Sequence, residues 1–286
     1  MATYKIITDS SCDFTKAQYA ELDLSFSSLT LLYQGENRDS FTEEDELKAF
    51  YDGIRAGEMP TTSAVNPDAW ARTMEPILAE GQDVLCLAFT SGLSTTYQSA
   101  VIAADELREK YPQRKINVVD TLCAALGQGL LVWYACRNRD AGMSLEELTA
   151  WVEANKMNIC HWVTVDDLNH LKRGGRVSAS TAFVGTMLGI KPIIRVDEAG
   201  KLETHSKVRG RKAAIDFLAK QLGEHITDKS MVTIAHGDCP EDAKALETII
   251  REQYGIENII TGYVGGVIGA HTGPGVLVLF FMGDHR

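Results

Sequence analysis

Short apolar runs alternate with amphipathic stretches along most of the chain, and that alternation predicts its elements. Residues 4–8 and 83–89 are compact strand-like runs. The second is almost unbroken through Val84, Leu85, Leu87, Ala88 and Phe89, as expected of a strand covered on both faces. Residues 24–32 read as a second strand and residues 116–119 as another. Helical spacing places Leu47, Phe50, Tyr51 and Ile54 on one face, Trp70, Met74, Ile77 and Leu78 on another, and Tyr97, Val101, Ala104 and Leu107 on a third. Thr42 with Asp45 reads as the start of the first of these helices and Gly57 as its stop. A long apolar helix is expected over residues 123–141, closed by Gly142, and Ser144 with Glu147 forms a capping box for the next. Strands and helices in this rhythm predict a mainly parallel sheet with flanking helices and a ligand at its carboxyl edge.

The rhythm changes near residue 157. Residues 160–165 resume a strand, and a polar stretch, Asp166 to Ser178, leads into small and apolar residues ending at Gly189. Residues 190–196 and 201–208 flank Asp197-Glu198-Ala199-Gly200 and predict an antiparallel hairpin. Helices over 211–224 and 240–254, with strands over 231–235, 258–263 and the apolar run 276–282, complete a second α/β unit. The predicted fold class is α/β with two domains, residues 1–157 and 158–286, and the ligand between them. His271 falls in a glycine-rich loop, residues 265–275, just before the last strand.

At 286 residues the chain is long enough for two domains sharing a cleft. Its 45% hydrophobic and 23% charged residues suit a soluble globular protein, and a net charge of -11 argues against nucleic acid as a partner. The first residues lack the apolar core of a signal peptide, and no run approaches the ~20 residues a spanning helix needs, so no stable membrane insertion is expected. Six scattered cysteines without a C-x-x-C pair predict reduced thiols in a cytoplasmic protein. Seven dispersed histidines with no zinc-type spacing predict no metal, and no G-x-G-x-x-G follows the first strand, so no dinucleotide cofactor is expected.

Polar chemistry gathers where strands end. Residues 90–99, Thr-Ser-Gly-Leu-Ser-Thr-Thr-Tyr-Gln-Ser, open a helix, whose free N–H groups and positive dipole end favour an anion. Ser94 or Thr95 can cap that helix or turn a hydroxyl to a ligand. A second hydroxyl cluster, Thr61-Thr62-Ser63 between Pro60 and Pro67, reads as another helix entry. Two basic patches, Lys172-Arg173 with Arg176, and Lys207, Arg209, Arg211 and Lys212, stand out from the acidic chain; Gly174-Gly175 between arginines resembles a phosphate-holding loop. A serine hydrolase using Ser94 and His271, oriented by Asp9 or Asp120, is the enzymatic alternative, although Gly92-Leu93-Ser94-Thr95-Thr96 lacks the second glycine of the nucleophile elbow. A transcriptional regulator is a third class, which the charge balance disfavours.

Six ordered segments resemble the DegV family of fatty-acid-binding proteins: Thr8-Asp9-Ser10-Ser11; Pro60-Thr61-Thr62-Ser63; Ser91-Gly92-Leu93-Ser94; Asp166-Asp167-Leu168 with residues 171–178; Leu188-Gly189-Ile190-Lys191-Pro192-Ile193; and Gly269-Ala270-His271-Thr272-Gly273. The resemblance implies a non-catalytic carrier that buries a long-chain fatty acid between two α/β domains. It places the carboxylate on Thr62, Ser63, Ser94 and His271, with Thr95 beside them. It further implies delivery to a separate bacterial fatty acid kinase that makes acyl-phosphate for phospholipid synthesis; Arg173, Arg176 and Arg209, from the basic patches, are the docking or phosphate-facing residues expected for such a partner. Many relatives have Gln where this chain has Ala64 and Gly where it has Thr95, changes expected to alter head-group geometry. Phe26, Leu29, Phe183, Met187, Ile190 and Ile268 are candidate tail-lining residues.

Overall fold

The computed structural model describes residues 4–177, 189–284 and 286. In chain order the strands are β1 (Tyr4–Asp9), β2 (Ser25–Ser27), β3 (Thr30–Tyr33), β4 (Glu36–Asp39), β5 (Thr61–Ser63), β6 (Asp83–Ala88), β7 (Ile116–Asp120), β8 (Ile159–Thr164), β9 (Ile190–Val196), β10 (Leu202–Arg209), β11 (Ile226–His236), β12 (Ile259–Tyr263) and β13 (Leu277–Gly283). The helices are α1 (Lys16–Glu21), α2 (Glu44–Arg55), α3 (Pro67–Ala79), α4 (Thr96–Lys110), α5 (Ala125–Asp140), α6 (Leu145–Asn155), α7 (Leu168–Arg173), α8 (Arg211–His225), α9 (Pro240–Tyr254) and α10 (Gly266–Thr272). Phe183, Met187, Ser178 and Leu188, named above from the sequence, lie outside the described residues.

The first sheet has the order β2-β1-β6-β7 and is parallel throughout. Alternate residues supply two cores: Ile7, Val84, Cys86 and Ile116 join the side chains of α3 and α4, whereas Ile6, Leu85, Leu87 and Val119 join those of α5 and α6. Burial on both faces is why β6 reads as one continuous apolar run. The second sheet, β10-β9-β8-β13-β11-β12, is antiparallel except for the β11–β12 pair. Here Leu277, Leu279 and Phe281 face the core of α8 and α9, while Val278, Phe280 and Met282 belong to the core shared with α5.

Helix α5 lies between the two larger sheets, so from Ala125 to Cys136 it is covered on nearly every side and, Gln128 apart, carries only apolar and aromatic side chains there. Its glycines permit the close approach. A Cβ on Gly127 would sit 2.4 Å from His161 Nε2, and one on Gly129 would sit 2.8 Å from the Cys12 carbonyl oxygen.

Several expectations need correction. Residues 24–32 form two strands in different sheets, because the chain leaves the first sheet after Ser27 and the Leu29 N–H binds the Ser10 hydroxyl at 2.9 Å. Thr42 does not cap α2; its hydroxyl donates to the Phe14 carbonyl at 2.8 Å, and the helix begins at Glu44 with no side-chain cap. Thr61-Thr62-Ser63 is the strand β5, antiparallel to β3 in the small sheet β4-β3-β5, and Asn66 caps the following helix by accepting from the Ala69 N–H at 2.8 Å. Residues 265–275 are not a loop. They contain α10, with His271 in its last turn and Gly273 and Gly275 at φ 73° and 78° behind it. The polar stretch after β8 contains α7, capped by Asp167.

Candidate functional site

The loop after β6 is held from beneath by carboxylates. Asp9 accepts the Phe89 N–H at 2.7 Å, and Asp120 accepts the N–H groups of Ser91 and Leu122, each at 3.1 Å. Desolvation in this buried setting raises the Asp9 pKa despite those bonds. The loop turns into α4 through Ser94, whose hydroxyl accepts the Thr96 N–H at 3.2 Å and lies 2.9 Å from Thr96 Oγ1. Thr96 then ties this loop to the chain leaving β5: its Oγ1 accepts the Val65 N–H at 3.4 Å, and its carbonyl accepts the Trp70 indole N–H at 3.1 Å. The two hydroxyl clusters are thereby drawn to one place.

His271 reaches the same place from α10, its Nε2 2.8 Å from Thr62 Oγ1. Burial, and secondarily the Arg176 cation, lower its pKa to about 4, so the imidazole is neutral near pH 7. The positive group at this mouth is therefore the Arg176 guanidinium, and a protonated His271 is not needed to supply charge. Among the described residues His271 Nδ1 has no hydrogen-bond partner. It lies against Gly174, where a Cβ would come within 2.3 Å of Nδ1. Gly174 thus serves as the flat surface on which the ring rests.

Behind this polar mouth lies a cavity of about 380 Å³ that Thr62, Ser63, Ser94, Thr95, Arg176 and His271 all line. Ser63 and Thr95 are at its exposed rim. The apolar walls come from both parts of the chain: Leu29 before β3 and Phe89 and Leu93 in the loop after β6 on one side, Val163 of β8 and Val278 and Phe280 of β13 on the other. Of the tail-lining candidates, Leu29 and Ile268 are part of this wall. Ile190 is not among the lining residues, and Phe26 is exposed, stacked on Tyr19 with ring centroids 4.0 Å apart. A second cavity of about 260 Å³ adjoins the mouth, sharing Thr62, Arg176 and His271 and adding His170, Arg173 and Met59. Arg209 ends β10 opposite Ile190 and lines neither cavity.

A hydrolytic triad is not assembled here. Ser94 is bonded to Thr96 and His271 to Thr62, while Asp9 and Asp120 hold backbone N–H groups. The sequence reading missed Thr96, although it stands in the hydroxyl run, and it missed His161. The latter lines the cavity from β8 with Nδ1 2.8 Å from the Ile159 carbonyl and Nε2 accepting the Ala124 N–H at 3.2 Å. Desolvation lowers its pKa to about 3. An interior histidine among apolar residues carries no periodic signal. Among the described residues no cluster of His, Cys, Asp or Glu could hold a metal ion, and no helix is long and apolar enough to cross a membrane.

The fold and site define an α/β protein of two larger sheets and one small one, with an apolar chamber behind a hydroxyl–imidazole mouth. Residues 3–284 match the family model described as "Uncharacterised protein, DegV family", and the chain belongs to the DegV family. It is 44% identical over 289 residues to a DegV domain-containing protein of Clostridium perfringens, covering 100% of this chain and 99% of the relative. Among solved structures, a DegV family protein from Thermus thermophilus described for its fatty acid binding shares 29% identity at TM-score 0.85, covering 97% and 98% of the two chains. DegV from Bacillus subtilis, described as a fatty acid binding protein, shares 26% identity at TM-score 0.84, covering 98% and 99%.

Proposed function

We propose that this protein is a non-catalytic carrier that binds a long-chain fatty acid between two domains, residues 1–157 and 158–286. The observation that carries the reading is the continuity of one polar mouth, with Thr62, Ser63, Ser94 and His271, with one apolar chamber behind it. Burying ~14 methylenes at about 0.8 kcal/mol each favours binding by roughly 11 kcal/mol before ordering costs are subtracted. A buried carboxylate is prohibitive without hydrogen bonds and charge. The three hydroxyls and the imidazole offer the bonds, Arg176 offers the charge, and Thr95 shapes the rim.

Delivery to a fatty acid kinase for acyl-phosphate and phospholipid synthesis in the cytoplasm extends the same reading. The second cavity supports it, because Arg173 and Arg176 place cations where an acidic partner or a phosphoryl group would meet the carboxylate. Arg209, which lines neither cavity, belongs to the outer part of that contact.

Native mass spectrometry with solvent extraction tests the carrier reading. The wild-type chain should release a stoichiometric fatty acid, and a Ser94→Ala, His271→Ala variant should lose most of it. Retention at the wild-type level places the head group elsewhere. Covalent labelling of Ser94 by a fluorophosphonate would instead establish the hydrolase. Arg173→Glu should abolish acyl-phosphate formation with a kinase while leaving the bound lipid in place.

A further inference from the structure

The larger cavity has a definable far end. β8 and β13 pair Val163 with Val278 and His161 with Phe280, and all four line the chamber. The mouth lies where β8 ends and β13 begins, since Arg176 follows β8 and His271 precedes β13. The His161–Phe280 rung is therefore farther from the mouth than Val163–Val278 by two residues, about 6.6 Å of strand. Val196 and Leu202, paired across the β9–β10 hairpin, line the chamber beside it. The rung is rigid: His161 is hydrogen-bonded at both nitrogens and meets Phe280 edge-on, with centroids 5.1 Å apart at 86°.

Arg286 lies directly behind this end and is buried. Its Nε donates to the Ile159 carbonyl at 3.2 Å, Nη1 to the Asp197 carbonyl at 3.4 Å, and Nη2 to the Lys156 carbonyl at 2.9 Å and Cys123 Sγ at 3.0 Å. Ile159 begins the strand that carries His161, Asp197 follows Val196, and Cys123 precedes Ala124, another wall residue. One planar group thus joins the three segments that form the far wall, and its fork geometry suits that task.

We propose that Arg286 is a positioning residue for acyl-chain length: by fixing those three segments together it sets the depth of the chamber. This rests on the fatty-acid reading above. A chain two methylenes too long must leave them outside or displace the wall, and at about 0.8 kcal/mol per methylene it forgoes the roughly tenfold gain in affinity that burying them would bring.

The test measures affinities of the delipidated full chain for straight-chain saturated fatty acids lengthened by two methylenes per step. The wild type should gain about tenfold per step up to its preferred length and nothing at the step beyond it, and Arg286→Met should restore a gain of at least about threefold at that step. A uniform loss at every length, or an unchanged length profile, overturns the proposal, because a merely structural residue would do either. Val196→Ala leaves Arg286 in place and enlarges the same wall, so its preferred length should increase; no change there also overturns the proposal, even if Arg286→Met does not fold. Binding of no fatty acid by the wild type removes the carrier reading itself, whereas equal binding of all lengths removes only the role of Arg286.

Discussion

Replacing His271 with alanine probes the head-group site most directly. The imidazole is bonded through Nε2 to Thr62 Oγ1 at 2.8 Å, and it is neutral at pH 7 because burial has lowered its pKa to about 4. Its contribution to a bound carboxylate is then a hydrogen bond to a charged group, about 1.5–3 kcal/mol, or roughly tenfold to 150-fold in affinity. The alanine variant also leaves the Thr62 hydroxyl without this partner, which moves the loss toward the upper part of that range. Competitive displacement of a fluorescent fatty acid measures it. The same assay with the corresponding fatty alcohol separates head from tail, since the variant should lose its preference for acid over alcohol while the alcohol binds nearly as before. An affinity for the acid within about twofold of wild type would refute the assignment of His271 to the carboxylate.

Three further outcomes are expected. Thr96→Val removes the hydroxyl shared by Ser94 and the Val65 N–H and should destabilise the fold by about 1–3 kcal/mol in denaturant titrations, with weaker fatty-acid binding as the two clusters separate. Gly174→Ala puts a Cβ 2.3 Å from His271 Nδ1 in a backbone conformation any residue tolerates, so circular dichroism should be unchanged while acid binding falls. His161 and His271 titrate at about 3 and 4 when folded and near 6.5 when unfolded, so only the unfolded chain takes up protons as pH falls below 6.5. The apo protein should lose stability over that window by at most about 1.4 kcal/mol per pH unit for each histidine, and His161→Gln should flatten the slope measured by thermal unfolding.

Local patterning determined much of this protein without tertiary information. The two-faced apolar runs at β6 and β13, the capping box at Ser144 and Glu147, and the turn at Asp197 to Gly200 all depend on neighbours within a few residues, so strand, helix and hairpin were legible. The hydroxyl clusters and His271 were legible as polar groups gathered at element ends, and the ordered segments around them indicated the family. What only the tertiary structure decided depends on contacts between distant segments. Thr96 joins Ser94 to the chain after β5, Gly174 supports a ring carried almost 100 residues later, and Arg286 closes a wall made from three separate stretches. Such contacts leave no period in the sequence, because a hydroxyl, a missing side chain or a guanidinium acquires its role only from the partner that folding places beside it.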